Sequence, residues 1–224
     1  MTDRPILFSS PMVRALIAGT KTQTRRTLSG GALAAHEPEW KAKKINGFWW
    51  LLADAVEIGG SIQPSIRIVV GDRLYVREAW RVPAQQDHIP PRDLDRQIIG
   101  YEADCGPGQI SATGKFRQAM HMPRWASRIT LTATDVRVER LQDINEGDAI
   151  AEGIVPVQHR EGGTIRYSGV SAKFGLAQDT AKAAYAHLWD SINGEDAWAE
   201  NPWVVAYTFT VQMGNIDQLQ QRAA

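Results

Sequence analysis

The chain has 224 residues, 43% of them hydrophobic and 22% charged, a balance typical of a globular protein that excludes a disordered polypeptide. Its 25 Lys plus Arg against 25 Asp plus Glu leave no net charge, so it lacks the basic surplus of a protein built on non-specific nucleic-acid binding. Any such contact must come from a local basic patch. The apolar runs, such as IRIVV at 66–70, are strand-sized and far below the roughly 18 residues that span a bilayer. The first 19 residues are interrupted by Arg4, Pro5, Pro11 and Arg14, which is not a signal-peptide pattern. A lone cysteine, Cys105, excludes an internal disulfide framework and a cysteine-based zinc site. The expectation is a cytoplasmic protein with no membrane partner.

In chain order, residues 10–18 predict a short helix. Ser9 or Ser10 serves as N-cap, Pro11 sits in the first turn, Gly19 ends it, and Met12, Leu16 and Ile17 face a core. A dense polar run, 20–26, follows; it is too polar for core and too structured for a linker. Residues 28–48 read as irregular with a helix-compatible Ala/Lys-rich stretch, and Phe48-Trp49-Trp50-Leu51-Leu52 as a strand. Further strands are predicted at 66–70 and, after a Gly71-Asp72 turn, at 73–80. Residues 82–97 read as a loop, 98–103 as a short strand and 105–115 as a loop. The strongest strand signal is 127–141. There Ile129, Leu131 and Ala133 alternate, then Val136 and Val138 do so out of phase, which predicts a bulge or bend near Thr134-Asp135. A short helix is expected at 145–153 and a loop at 155–173. The longest helix, 176–192, places Ala181, Ala184, Tyr185, Leu188 and Trp189 on one face and stops at Asn193-Gly194. A closing strand covers 203–211. Strands with short helices between them, without regular βαβ alternation, predict an α+β fold on a twisted or barrel-like sheet. One domain over 1–224 is expected, with insertions near 28–65, 82–125 and 155–173.

No Walker loop, dinucleotide fingerprint, HExxH, GxSxG or EF-hand loop occurs. The five histidines, His36, His88, His121, His159 and His187, are far apart and none is paired at ligand spacing, so no metal and no cofactor are expected. The strongest local signal is Gly19-Thr20-Lys21-Thr22-Gln23-Thr24-Arg25-Arg26, which combines an amine, hydroxyls and two guanidinium groups. Lys21 and Thr24 would share a helix face but point oppositely on a strand, so a turn must bring them together. If they converge, burial and the charges of Arg25 and Arg26 would favour a neutral Lys21 able to act as base toward Thr24. The competing reading is a solvated basic turn.

These residues carry a resemblance. A helix ending in Ala18-Gly19-x-Lys21-Thr22-x-Thr24-x-Arg26, then Gly71-Asp72-x-Leu74-x-Val76-Arg77-Glu78, resembles the ASCH domain family, related to the PUA, EVE and YTH folds. Residues 129–141, leading into 144–153, resemble that family's following strand pair, and 203–209 its final strand. The whole is similar to the larger ASCH proteins often encoded by phages and prophages. The resemblance implies a PUA-like β-barrel with flanking helices and a cleft that takes RNA or a modified base. Within the family, the N4-acetylcytidine amidohydrolases use a Lys, a Thr three residues later and a Glu after the central strands; Lys21, Thr24 and Glu152 match. In the implied reaction Thr24 attacks the acetyl carbonyl, Lys21 takes its proton, and Glu152 holds or protonates the amine side of the substrate. Arg26 is the candidate for stabilising the oxyanion.

Other candidate substrate-binding residues are Arg25, Glu78, Trp80, Arg124 and Trp125. Trp80 ends a strand and could stack on a base. Residues 116–128, with Arg117, Arg124, Arg128 and Trp125, suit a single-stranded ligand, or a loop packing Met122 and Trp125 onto the core. Cys105 reads as incidental. Three functions stay open: hydrolysis of an N-acyl modified nucleoside, RNA or modified-base binding without turnover in the same cleft, and ribonuclease activity. The partner is a nucleoside or RNA ligand, and the oligomeric state is not readable.

Overall fold

A computed structural model describes residues 2–28, 40–53, 61–94, 99–105, 114–158, 165–169 and 177–223. The elements in chain order are β1 (Asp3–Leu7), α1 (Ser10–Ile17), β2 (Gln23–Thr27), β3 (Trp40–Ile45), β4 (Phe48–Ala53), β5 (Ser61–Ile62), β6 (Arg73–Arg77) and β7 (Trp80–Arg81). They continue with β8 (Gly100–Tyr101), β9 (Ile129–Arg140), α2 (Glu146–Ala151), β10 (Val155–Gln158), β11 (Ile165–Ser168), α3 (Ala181–Asn193), β12 (Trp203–Met213) and α4 (Ile216–Ala223). The fold is α+β, as expected. Its main sheet runs β1-β6-β9-β12-β2 and does not close into the expected barrel among the described residues. β1 and β2 are its edges. The shorter strands pair among themselves, as β3-β4-β5, β7-β8 and β10-β11. No described helix is long and apolar enough to cross a membrane.

The chain forms two compact units, and β9 and β12 each contribute residues to both. The first comprises Met1–Thr22, Val70–Thr134 and Phe209–Ala224. In it β1 lies parallel to β6, pairing Asp3 with Arg73 through Leu7 with Arg77, and β6 lies antiparallel to the start of β9. Leu74 and Val76 point inward on β6, opposite the Ile129–Leu131–Ala133 alternation of β9. Gly71 makes the turn into β6 at φ +90°, a backbone region costly for any residue with a Cβ. In α1, Ser9 occupies the N-cap position without a side-chain cap bond. The buried face is Val13, Ala15 and Leu16, while Ile17 is exposed, so the apolar stripe is rotated from the expected one. A second small core gathers Trp80, Val82, Leu94, Met122 and Ala126.

The second unit comprises Gln23–Val69 and Asp135–Thr208. Here β2 lies antiparallel to β12, pairing Thr27 with Val204 through Gln23 with Thr208. One core joins Leu51 to Val136, Val138, Trp203, Val205 and Tyr207; another wraps α3 with Leu141, Ile144, Ala149, Ile154 and Val204. The predicted phase slip is present: Thr134 and Asp135 are both exposed between the two buried sets, and the division between units falls between them. Asn145 caps α2 through the Asp148 N–H, and Thr180 caps α3 through the Ala183 N–H. α3 therefore starts later than the periodicity alone suggests.

Several expectations are corrected. The Lys-rich segment from Trp40 is a strand because Trp40 and Ala42 alternate with lysines and pair with β4; residues 29–39 lie outside the described set. Residues 66–70, with four β-branched side chains, form no strand, and Ile66 and Ile68 pack on the core. Residues 73–80 break into two strands at Glu78-Ala79. The predicted strand over 98–103 is only β8, followed by a 3-10 turn, and Ile98 is not described. The predicted loop 155–173 contains a hairpin, β10-β11, although 159–164 and 170–176 lie outside the described residues, as does 106–113 in the other glycine-rich loop. β1 and α4 were not anticipated.

Replacing the fully buried Leu131 by Ala removes side-chain volume from the middle of the sheet and is expected to lower stability by about 2–5 kcal/mol. Gly71→Ala meets no atom within 4 Å, so its cost is conformational only, about 1–2 kcal/mol. Urea denaturation of the two variants measures both.

Candidate functional site

The polar run at 20–26, read from the sequence as too polar for core, is largely buried. Lys21, Gln23, Thr24 and Arg25 are each 4% exposed or less. Strand alternation places Gln23 and Arg25 on one face of β2 and Thr24 and Arg26 on the other. The Arg25 guanidinium uses all five of its N–H donors. Nε and Nη2 donate to Glu139 Oε1 at 3.0 and 2.7 Å, Nη2 to Asp148 Oδ2 at 3.1 Å, and Nη1 to Gln23 Oε1 at 2.6 Å and Glu152 Oε1 at 3.2 Å. The carboxylates come from β9 and from α2 with its C-cap, where Asp148 and Glu152 share a helix face at a spacing of four.

A second cation, Arg137, donates to Asp148 Oδ2 at 2.9 Å and lies 3.9 Å from Glu139. Gln23 returns an N–H to Asp148 Oδ1 and another to Thr208 Oγ1, each at 3.1 Å. From α3, Tyr185 donates its hydroxyl to Glu152 Oε1 at 3.3 Å. Two guanidiniums thus face three carboxylates, leaving one negative charge in excess among these five groups. Burial and then the charge of Glu152 push the Tyr185 hydroxyl well above its ordinary value, so it stays a donor. Burial pushes the Asp148 carboxyl up, but the hydrogen bonds from Arg137 and Gln23 outweigh it and hold that carboxyl below its ordinary value. Burial disfavours the Arg25 charge, yet Glu152 and Glu139 more than compensate and raise it.

Of the three expected catalytic residues, Lys21 belongs to the first unit and Thr24 and Glu152 to the second. Lys21 is wholly buried, and its N–H donates to the Ala15 carbonyl just after Gly19 takes φ +71°. Its Nζ lies 5.8 Å from the centroid of the Phe8 ring. Thr24 is paired with Tyr207 across β2 and β12, and Glu152 caps α2; both are 3% exposed. Sequence reading missed Gln23, Glu139, Asp148, Arg137 and Tyr185. The Gln23/Arg25 alternation and the Asp148/Glu152 spacing were the available signals.

The expected substrate-binding residues divide. Arg25 is internal, as above, and Arg26 is exposed. Glu78 is buried and receives a bidentate pair of bonds from Arg128 at 2.9 and 3.0 Å; burial raises its carboxyl even against that partner. Trp80 has no exposed surface and belongs to the core, so it is no stacking platform. Trp125 is half-buried against the same core. The 116–128 segment does not offer the expected free arginines. Arg117 donates to the carbonyls of Gln86, Asp87 and Ile89. Arg124 is held by Asp217 and Asp3, and Arg128 by Glu78 and Asp104. Cys105 is half-buried, its Sγ donating to the Tyr101 carbonyl at 3.6 Å. No cluster of metal-ligating side chains occurs among the described residues. A shallow cavity of about 620 Å³ lies along α3 beside Trp198; in its lining Glu146 accepts from the first N–H groups of α3 and Asp190 accepts the Trp198 N–H.

Arg25→Leu is expected to leave three carboxylates around an empty centre and lower stability by about 3–5 kcal/mol. Arg25→Lys should not restore it, because an ammonium cannot reproduce the planar fork; thermal unfolding measures both. Asp148 binds its proton less tightly folded than unfolded, where its pKa is about 3.9. Its stabilising contribution is therefore full above that value and lost as pH falls through the native one. Asp148→Asn should flatten the acid side of the stability–pH curve.

Comparison with family models, with curated proteins and with solved structures finds no match for this chain.

Proposed function

We propose that this protein is a hydrolase that removes an N-acyl group from a modified nucleoside of the N4-acetylcytidine kind, on a PUA-like sheet of ASCH type. The observation that carries the reading is the burial of its three reacting groups. Lysine, threonine and glutamate are usually exposed, yet Lys21, Thr24 and Glu152 are 0%, 3% and 3% exposed. Side chains of these types are rarely so buried, and sites that perform acid–base chemistry are among the places where they are.

In the proposed sequence Thr24 Oγ1 attacks the acyl carbonyl while the Lys21 amine takes its proton. The tetrahedral intermediate collapses, the C–N bond breaks, and the Lys21 ammonium returns the proton to the departing amine. Water then cleaves the threonine ester to release the acid. Glu152 Oε1 already accepts from Arg25 and Tyr185. Because its partner Arg25 lies on the face of β2 opposite Thr24, Glu152 is given no direct bond to Thr24 and is assigned only the amine side of the substrate. Arg26, exposed on the same face of β2 as Thr24, is the candidate for the developing oxyanion.

The alternatives, RNA or modified-base binding in the same cleft and ribonuclease activity, draw less support. The arginines expected to grip phosphates at 117, 124 and 128 are held by internal acceptors.

A chromatographic assay with N4-acetylcytidine tests the proposal. The wild type should release cytidine, and Lys21→Ala and Thr24→Ala should each lower the rate by roughly a hundred-fold or more. Glu152→Gln should reduce it as well. Absence of cytidine at high protein concentration, or undiminished release by folded Lys21→Ala and Thr24→Ala variants, would overturn it.

A further inference from the structure

The β3-β4-β5 sheet has two unlike faces. Its inner face, with Trp40, Ala42, Trp49, Leu51 and Ile62, packs on the core of the second unit. Alternation and register put Lys41, Lys43 and Ile45 on the other face, directly opposite Leu52, Trp50 and Phe48. Phe48 is 59% exposed, Lys41, Lys43 and Ile45 are exposed, and Trp50 and Leu52 are half-buried. Two of the three lysines of residues 40–53, Lys41 and Lys43, stand on this face, the third, Lys44, lying on the Trp49 side 5.9 Å from that ring, and the segment has no acidic residue. This is a concentration of positive charge and exposed ring surface that the proposed reaction does not use.

We propose that this outer face binds a single-stranded polynucleotide, with Trp50 and Phe48 as stacking platforms and Lys41 and Lys43 facing the phosphates. The two rings sit two positions apart on one strand, roughly 7 Å, so each can take its own base. Both lysines lie on β3 and both rings on β4, with Lys43 directly across from Trp50, so charge and stacking surface run side by side as phosphates and bases do along a single strand. A membrane surface needs a larger apolar patch, and a duplex would leave the rings without unstacked bases. The surface includes none of Lys21, Thr24 and Glu152, and the proposal does not depend on the hydrolase reading.

Fluorescence anisotropy with an end-labelled single-stranded RNA twelve-mer, its DNA counterpart and a duplex of the same sequence tests it. Binding to at least one single strand, stronger than to the duplex, is expected. Trp50→Ala should weaken it roughly ten-fold or more. Lys43→Gln, a surface change that does not touch the core, should reduce the slope of log affinity against log salt by about 0.7. Lys115→Gln, an exposed lysine elsewhere, should leave both unchanged. Circular dichroism confirms that each variant is folded. The proposal is overturned if no single strand binds at low salt, or if affinity and slope survive both Trp50→Ala and Lys43→Gln. Binding only to phosphatidylserine-containing vesicles would also overturn it.

Discussion

A guanidinium group cannot shed its charge in a protein, so burying one commits the surrounding chain to supplying an acceptor for every N–H. Arg25 is the residue at which this requirement is met in full. β2 is short and polar and lies at a sheet edge, yet Arg25 binds it to β9 and α2 through three carboxylates, with Gln23 closing the ring of acceptors. Tyr185 extends the same network to α3. Without such a set the desolvation of the charge would go uncompensated; with it, the orientation of Glu152 follows directly.

The first unit uses the same device at other positions. Arg124 joins α4 to the start of β1 through Asp217 and Asp3, and lies over the Tyr75 ring at 5.3 Å. Arg128 clamps Glu78 and Asp104 and stacks 3.9 Å from the centroid of Tyr101. Asn215 places its Nδ2, with two N–H groups, within 3.2 Å of the carbonyls of Arg124, Trp125 and Ser127. A chain with equal numbers of acidic and basic residues thus places many of them in internal pairs. The arginine-rich stretch that reads as a nucleic-acid patch is part of that internal wiring. Lys41 and Lys43 of β3 stand on an outward sheet face instead.

Elements whose pattern is set by their own residues were legible. β9 shows its alternation and its slip in the sequence, and the slip survives folding as two adjacent exposed residues. α2 announces itself by Asn145 at one end and Gly153, at φ +100°, at the other. Elements that exist only through a partner were not legible. β1 needs β6 beside it, β3 needs β4, and residues 66–70 look like a strand but do not form one. Of the candidate site, Lys21, Thr24 and Glu152 were picked out by motif, Asp148 was signalled only by its spacing from Glu152, and Glu139 and Tyr185 gave no motif.

By itself the sequence determined the α+β class, the principal strands and helices of the sheet, and the polar run on which the proposed chemistry rests. It did so because local periodicity and capping act over a few residues. Only the tertiary structure decided that this run is buried, which arginines are consumed internally, and which face of β3-β4-β5 looks outward. Burial and ion pairing join residues more than a hundred positions apart, as Arg25 and Glu139 are, and no local pattern encodes such a meeting.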